Sequence, residues 1–386
     1  MYKRIAITLG IIAFVATGTT LYTMFNGFSI DQPGWATNLL VGLTVTFLVC
    51  EVIITPFFLL DDLGAGFRWL YRTFTAAETD LVAQPRRQFL KKAGVLFTML
   101  PFASFLYGIT RGKYNFWVNK KQVFFENLPN AFDGFRILQI SDVHAGSFDD
   151  HESVRSGIRL IQKQEADMIV FTGDLVNVYS SEIEPFLDDF KALSAPYGKH
   201  SILGNHDYSM YGNMFDGEEH RQRNIENIKA HHFTMGFNLL LNNSVKIEKD
   251  DASFRLVGVE NWGRSKHFPK LGDLDMATAN CEENAFTVLL SHDPTHWADK
   301  VLDYQNQIDL TLSGHTHGMQ MGVDLSFFKW SPAKYVYPHW AGLYEELGRK
   351  LYVNRGFGFL GFAGRVGIFP EITVLELKKG SHSVQS

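Results

Sequence analysis

The stretch from Phe135 to His144, FRILQISDVH, decides the fold: a buried-strand pattern runs without a break into a turn that carries a carboxylate, Asp142, and an imidazole, His144. The same juxtaposition returns down the chain. Met168 to Thr172 leads into Gly173-Asp174, and His200 to Leu203 leads into Gly204-Asn205-His206-Asp207. Phe286 to Leu290 leads into Ser291-His292-Asp293, and Leu310 to Leu312 into Gly314-His315-Thr316-His317-Gly318. Between these apolar runs lie helical patterns over His151 to Gln164, Glu182 to Leu193, Glu219 to Ala230 and Pro294 to Tyr304. Strands alternating with helices predict an α/β core with largely parallel pairing, and sites in such sheets gather beyond the carboxyl ends of the strands. Every polar cluster here begins within about two residues of a predicted strand end, as a shared site requires.

Taken singly, Asp142-x-His144 and Gly173-Asp174 are also what a capping residue and a tight turn would produce. The Gly204-Asn205-His206-Asp207 and Gly314-His315-Thr316-His317 tetrapeptides at further strand ends are far more specific. Together they supply oxygen and imidazole donors with no thiolate, a mixture suited to Mn²⁺, Fe or Zn²⁺ as a working metal rather than to a structural zinc of the cysteine type.

In order and without a gap, Asp142-x-His144, Gly173-Asp174, Gly204-Asn205-His206-Asp207, His292 and Gly314-His315-x-His317 resemble the calcineurin-like metallophosphoesterase family. The resemblance implies a four-layer fold of two packed mixed β-sheets flanked by helices, and two divalent metal ions. It assigns Asp142, His144 and His317 to the first metal, Asn205, His292 and His315 to the second, and makes Asp174 the bridge. His206 is then placed to donate to a phosphoryl or leaving oxygen, with Asp207 expected to hold its imidazole in the right tautomer. Further on, Tyr352 to Gly358, Arg365 and Pro370 to Leu377 look like the C-terminal signature of the membrane-associated branch, which includes proteins similar to UDP-2,3-diacylglucosamine pyrophosphatases of lipid A synthesis. Arg355 and Arg365 flank the glycine-rich aromatic stretch GFGFLGFAG, residues 356–364, and are read as phosphate-binding forks beside an acyl-accepting surface. The aromatics of Trp330 to Trp340 are read as core packing, and His231 and His232 as surface or core residues outside the site.

The N-terminal third reads as membrane. Ile5 to Phe25 and Trp35 to Leu60 are two apolar runs, the second interrupted only by Glu51, and each is long enough to span a hydrocarbon core as a helix. With the basic loop that follows they make a region over residues 1–92, and Ala93 to Thr110 makes a third apolar helix that leads through a linker to residue 125. The hydrolase domain is expected over residues 126–379, with a tail at 380–386. Lys3, Arg4, Arg68, Arg72, Arg86, Arg87, Lys91 and Lys92 place the N-terminus and the basic loop in the cytoplasm of a multi-pass cell (inner) membrane protein. If the third run crosses, the globular part lies outside; if it lies on the surface, that part stays inside. Pro85-Arg86-Arg87-Gln88-Phe89-Leu90-Lys91 resembles a twin-arginine export signal, and equally reads as a basic helix flank.

A net charge of -5, from 36 basic and 41 acidic residues spread along the chain, provides no footprint for nucleic acid. The two cysteines, Cys50 and Cys281, make no disulfide framework. These readings combine into a metal-dependent hydrolase of phosphoester or pyrophosphate bonds with membrane lipid as neighbour and a lipid-linked phosphate as substrate. Two rivals remain: an extracytoplasmic enzyme acting on soluble nucleotides or phosphoproteins, and a non-catalytic membrane sensor that keeps metal only for structure.

Overall fold

The computed structural model describes residue 18 and residues 35–75, 83–210, 215–282, 284–325 and 327–381. The expected first span, residues 5–25, and most of the tail lie outside them. Two long helices lead the described chain: α1, Trp35–Thr75, and α2, Ala83–Thr110. Each contains a stretch apolar and long enough to cross a membrane, Trp35–Thr75 and Gln88–Thr110. They run antiparallel. Gly42 faces Ile109, Phe47 lies 6.3 Å from Phe102, and Phe57 stacks on Phe97 at 5.7 Å between ring centres. At 41 residues α1 is about 60 Å long, twice a hydrocarbon core. A single crossing would use about half of that length.

Two expectations change here. The basic segment after Leu60 is helical where it is described, since α1 continues to Thr75 and α2 begins at Ala83. Residues 117–125 are not a linker. Trp117–Phe125 forms β1 and pairs in parallel with β14, Glu371–Lys379, so the globular unit starts earlier than residue 126.

The first sheet also contains β2 (Arg136–Ile140), β3 (Met168–Phe171), β4 (Lys199–Ser201) and β5 (Asn238–Leu239), in the order β1-β14-β2-β3-β4-β5. The second comprises β6 (Asn243–Lys249), β7 (Ala252–Gly258), β8 (Thr287–Leu290), β9 (Leu310–Ser313), and, after a separate hairpin of β10 (Val323–Leu325) and β11 (Phe328–Trp330), β12 (Gly342–Glu346) and β13 (Arg349–Val353). Its order is β12-β13-β9-β8-β7-β6. Both sheets are mixed: β14 lies antiparallel to β2, and antiparallel pairs flank the parallel centre of the second sheet.

Strand alternation builds the layers. Ile137, Met168 and Val170 point into the space between the sheets, where Phe254, Val288, Leu290, Leu310 and Leu312 meet them. Leu138, Ile140, Ile169 and Phe171 point the other way, onto α3 (His151–Gln162) and α4 (Glu218–Thr234). Leu289, Leu351 and Val353 turn outward from the second sheet onto Trp297 and Val301. This is the four-layer metallophosphoesterase fold, with apolar helices leading into it. The predicted helix over Pro294 to Tyr304 is shorter and irregular: a single α-turn, Pro294–His296, that widens into a π-turn over Trp297–Val301.

Candidate metal centre

The strands β2, β3, β8 and β9 end side by side, and the loop after each turns at once into the space between the two sheets. That turn demands unusual backbone angles. Asp142, His144, Asp174, His315 and His317 all have positive φ, between 47° and 72°, a region that costs a side-chain-bearing residue energy unless its surroundings hold it there. Gly173, Gly204 and Gly314 allow the loops to close: a Cβ on Gly314 would sit 2.1 Å from an Asp142 oxygen, and one on Gly204 would sit 2.3 Å from an Asp174 oxygen.

The seven residues read from the sequence converge in two groups. Asp142, His144 and His317 bring one donor atom each within 4.8 Å of one another, and so do Asp174, His292 and His315. Asp174 joins the groups: its Oδ2 lies 3.1 Å from His292 Nε2 and 3.5 Å from His144 Nε2. Asn205 reaches the second group through its Oδ1, 3.1 Å from His292 Nε2. His206 joins His144 and Asp174 in a third cluster.

The ring orientations suit metal ligation. His144 Nδ1 faces the Asn177 amide oxygen at 3.1 Å, and His292 Nδ1 donates to the Thr172 carbonyl at 2.7 Å. An acceptor at Nδ1 leaves Nε2 as the coordinating atom. Buried Nε2 atoms of His144 and His317, and Oδ2 of Asp293, have no hydrogen-bond partner among the described residues. Orphaned donors of that kind, aimed into a cluster of carboxylates, are what a site built for cations leaves behind in protein atoms alone.

Charge in the cluster is tightly interlocked. Burial would raise the Asp174 carboxyl, yet His292, His206 and His144 hold it well below the usual carboxylate range. Burial likewise pulls His292 down, but Asp174 and Asp142 win and push it up to about 10. Asp142 goes the other way: burial raises it to about 7 despite His292, with Asp174 adding to the rise. Burial keeps His144 down at about 3 and, with His144 and Arg365 beside it, holds His317 well below the ordinary imidazole value. The neutral His144 and His317 imidazoles and the ionised Asp174 are in the protonation states that divalent metals require, whereas His292 would have to give up a proton to ligate one.

Three assignments need correction. Asp207 does not hold His206. Its carboxylate is buried and accepts from the backbone N–H groups of Asp174 (2.9 Å), Leu175 (2.8 Å) and Gly204 (2.9 Å), so it shapes the loops carrying the bridge and Asn205. His206 is oriented by Asn177 instead, donating Nδ1–H to its carbonyl at 2.8 Å. Arg355 and Arg365 do not face the cluster as free forks. Arg355 is buried between Glu371, at 2.5 Å, and Asp324. Arg365 is wholly buried and donates to the carbonyls of Arg355, Gly356 and Gly358, with Nη2 3.1 Å from His317 Nδ1. Arg365, its guanidinium taken up by carbonyls and His317, braces a ligand, and Arg355 is engaged by two carboxylates, so neither stands as a free phosphate fork. His232 is a core residue against Phe171 and Phe237.

Two neighbours escaped the sequence reading. Asn177 orients both His144 and His206, and its position three residues past Asp174 was the available signal. Tyr337, in the segment read as core packing, brings its hydroxyl 2.9 Å from His315 Nε2. No motif marks it.

Paired ligand clusters that share an aspartate, set where the strands of two packed sheets end, define the class: a phosphoester hydrolase that takes divalent metals. Residues 135–319 match the family model described as "Calcineurin-like phosphoesterase", and residues 2–113 match "Probable Calcineurin-like phosphoesterase, transmembrane domain". Among similar proteins, the uncharacterized metallophosphoesterase YkuE of Bacillus subtilis is 31% identical over 262 residues, 65% of this chain and 82% of that protein. A "Transmembrane protein with metallophosphoesterase domain" from Danio rerio is 24% identical over 359 residues, 91% of this chain and 76% of its own length. A solved dimetal phosphatase from Danio rerio aligns over 58% of this chain and 88% of its own, at 12% identity and a TM-score of 0.33. The chain belongs to the calcineurin-like metallophosphoesterase family, and it is a membrane protein.

Proposed function

We propose that the chain hydrolyses a phosphoester or pyrophosphate bond in an amphiphilic, lipid-linked substrate whose phosphate lies at the membrane surface. Asp142, His144 and His317 would hold one divalent metal, Asn205, His292 and His315 a second, with Asp174 between them. Bound there, the metals supply charge neutralisation and a water acidic enough to attack phosphorus near neutral pH. The chain's own contribution to the chemistry is His206. Its Nδ1–H is committed to the Asn177 carbonyl, so Nε2 is the atom that gains and loses a proton and can donate to the departing oxygen.

One observation carries the substrate class. The cluster is tied to the end of a spanning helix through Arg365, whose guanidinium lies against His317 and whose backbone N–H donates to the carbonyl of Gly108 in α2, at 3.2 Å. A metal pair within one arginine of the bilayer edge suits a headgroup phosphate.

The same geometry favours a side. Asn38, near the start of α1, donates to the Ser147 carbonyl and to Asp149 of the hydrolase domain, and α2 enters that domain at its C-terminal end. Both ends therefore lie on the domain's face of the membrane. The basic ends, with Arg68 on α1 and Lys91 and Lys92 on α2, lie on the other face. With positive charge inside, the hydrolase domain is extracytoplasmic. That placement weighs against UDP-2,3-diacylglucosamine, a cytoplasmic precursor, and for a phosphorylated lipid of the outer face.

The test compares matched substrates with the full chain in nanodiscs: a diacyl phospholipid bearing a phosphomonoester or diphosphate, its water-soluble deacylated form, UDP-2,3-diacylglucosamine and a free nucleotide. The reading expects metal-dependent turnover fastest on the acylated phosphate. Faster turnover of the soluble headgroup or nucleotide would overturn the lipid assignment, whereas no turnover by the metal-loaded chain of any of the four would favour the sensor.

A further inference from the structure

The hairpin of β10 and β11 belongs to neither six-stranded sheet. Its register, Val323 opposite Trp330, Asp324 opposite Lys329 and Leu325 opposite Phe328, sorts its side chains by pleat. Val323, Leu325, Phe328 and Trp330 fall on one face, and Asp324 and Lys329 on the other. Both charges are tied back onto the domain: Asp324 pairs with Arg355, and Lys329 brings its ammonium to the Ala341 carbonyl and over the Trp340 ring at 4.8 Å. The apolar face is left to solvent. Leu325 is 50% exposed, Phe328 52%, and Phe327 at the tip 86%.

A two-stranded ribbon with its charges tied back onto the domain and large apolar groups turned outward is an interaction surface, because an isolated hairpin gains nothing from exposing them. Its position says what covers it. Gly322, at the root of the hairpin, donates its N–H to the Val366 carbonyl at 2.9 Å, and Met321 bridges Val366. Val366 packs on Gly108, so closely that a Cβ there would lie 2.6 Å from Val366 Cγ2. The root of the hairpin is thus one residue removed from the last turn of α2, at the level where Trp35 and Tyr107, 70% and 46% exposed, stand as interfacial aromatics would.

We infer that the β10–β11 hairpin dips into the lipid bilayer beside α2, with Leu325, Phe327 and Phe328 at the acyl–headgroup boundary, and that the hydrolase domain therefore rests on the membrane by a second contact besides its helices. The partner is the lipid surface itself. The depth matches an interfacial element, a few ångströms of side chain rather than a span.

The experiment uses the full chain in nanodiscs of phosphatidylcholine with phosphatidylglycerol. In a C50A/C281A background, a nitroxide is attached in turn at Leu325→Cys, Phe328→Cys and, as a control on a distant exposed turn, Leu347→Cys. Collision with oxygen, which partitions into lipid, is compared with collision with a water-soluble nickel chelate. Several-fold higher oxygen-to-nickel ratios at 325 and 328 than at 347 are expected, and equal, water-like ratios at all three would overturn the inference. Should the cysteine-free background fail to fold, the natural tryptophan serves: the difference in fluorescence between wild type and Trp330→Phe should be quenched by shallowly brominated lipid, and an unquenched difference refutes insertion. Neither readout depends on catalysis, so the result stands or falls apart from the substrate assignment.

Discussion

At the scale of single residues, His206 and Asn177 separate chemistry from scaffolding. His206 is half-buried and held through Nδ1, so its replacement should spare the metals and remove a proton donor. His206→Ala is expected to lower kcat by ~10²–10⁴-fold while metal content, read by plasma emission, stays near wild type. Metal lost in step with activity would instead make it a ligand. Asn177→Ala withdraws support from His144 and His206 together. We expect metal affinity, measured by chelator competition, to fall by ~10–100-fold, as removal of a ligand's hydrogen-bond partner does. His232 tests burial alone. Both of its ring nitrogens lack hydrogen-bond partners among the described residues, and burial holds it down at about 3 against an ordinary 6.5. Its folded value lies below its unfolded one. The stability it allows is therefore complete above pH 6.5 and is lost as pH falls from there toward 3. Between pH 7 and pH 5 the loss is about 2 kcal/mol, at ~1.4 kcal/mol per unit below the unfolded value. Denaturant midpoints at the two pH values should draw closer in His232→Phe; an unchanged gap would assign the acid sensitivity elsewhere.

At the scale of elements, the loops that follow β2 and β13 are locked together by backbone contact. Phe357 N–H donates to the Ser141 carbonyl and Gly358 N–H to that of Asp142, both at 2.8 Å, and a Cβ on Gly358 would stand 1.9 Å from the Val143 carbonyl oxygen. The start of the glycine-rich stretch, with Phe357 and Phe359 buried, is therefore a floor beneath the Asp142 turn and not an acyl-accepting surface. Gly358→Ala must push the two loops apart, and a destabilisation of about 1–3 kcal/mol by denaturant titration is expected, with weaker metal retention. Wild-type stability in that variant would show the floor to be more yielding than its contacts imply. Helix α2 bears on the same floor, since a Cβ on Gly112, just past its end, would lie 2.4 Å from the Arg365 carbonyl oxygen.

At the scale of the whole molecule, the clusters are a concentration of buried charge that metals neutralise. Stripping them with a chelator should lower the thermal midpoint of the full chain in detergent, and adding back Mn²⁺ or Zn²⁺ in excess should restore it by the mass-action gain of ligand binding, ~2.7 kcal/mol at a hundred times Kd. Identical midpoints with and without chelator would mean that the ligand loops are held entirely by protein contacts.

The candidate metal cluster was legible along the chain because each of its donor residues follows an apolar strand, and strand ends of an α/β sheet are brought together by the fold itself. From the residues alone came the α/β class, the gathering of Asp142, His144, Asp174, Asn205, His292, His315 and His317 at strand ends, and the membrane-spanning character of the N-terminal third, all of them properties of local pattern; the division of those residues between two metals came from the family resemblance. What tertiary structure decided was direction and partnership. Whether Asp207 or Asn177 holds His206, and whether Arg355 and Arg365 meet substrate or brace Glu371 and His317, depends on which loops pack across the sheets, and identity at a position does not encode that. The second sheet's outer strands were missed for a related reason: their short, half-exposed segments take their pairing from neighbours distant in sequence. The pairing of α1 with α2, which sets the hydrolase domain opposite the basic helix ends, is likewise a contact between faces that hydropathy alone cannot orient.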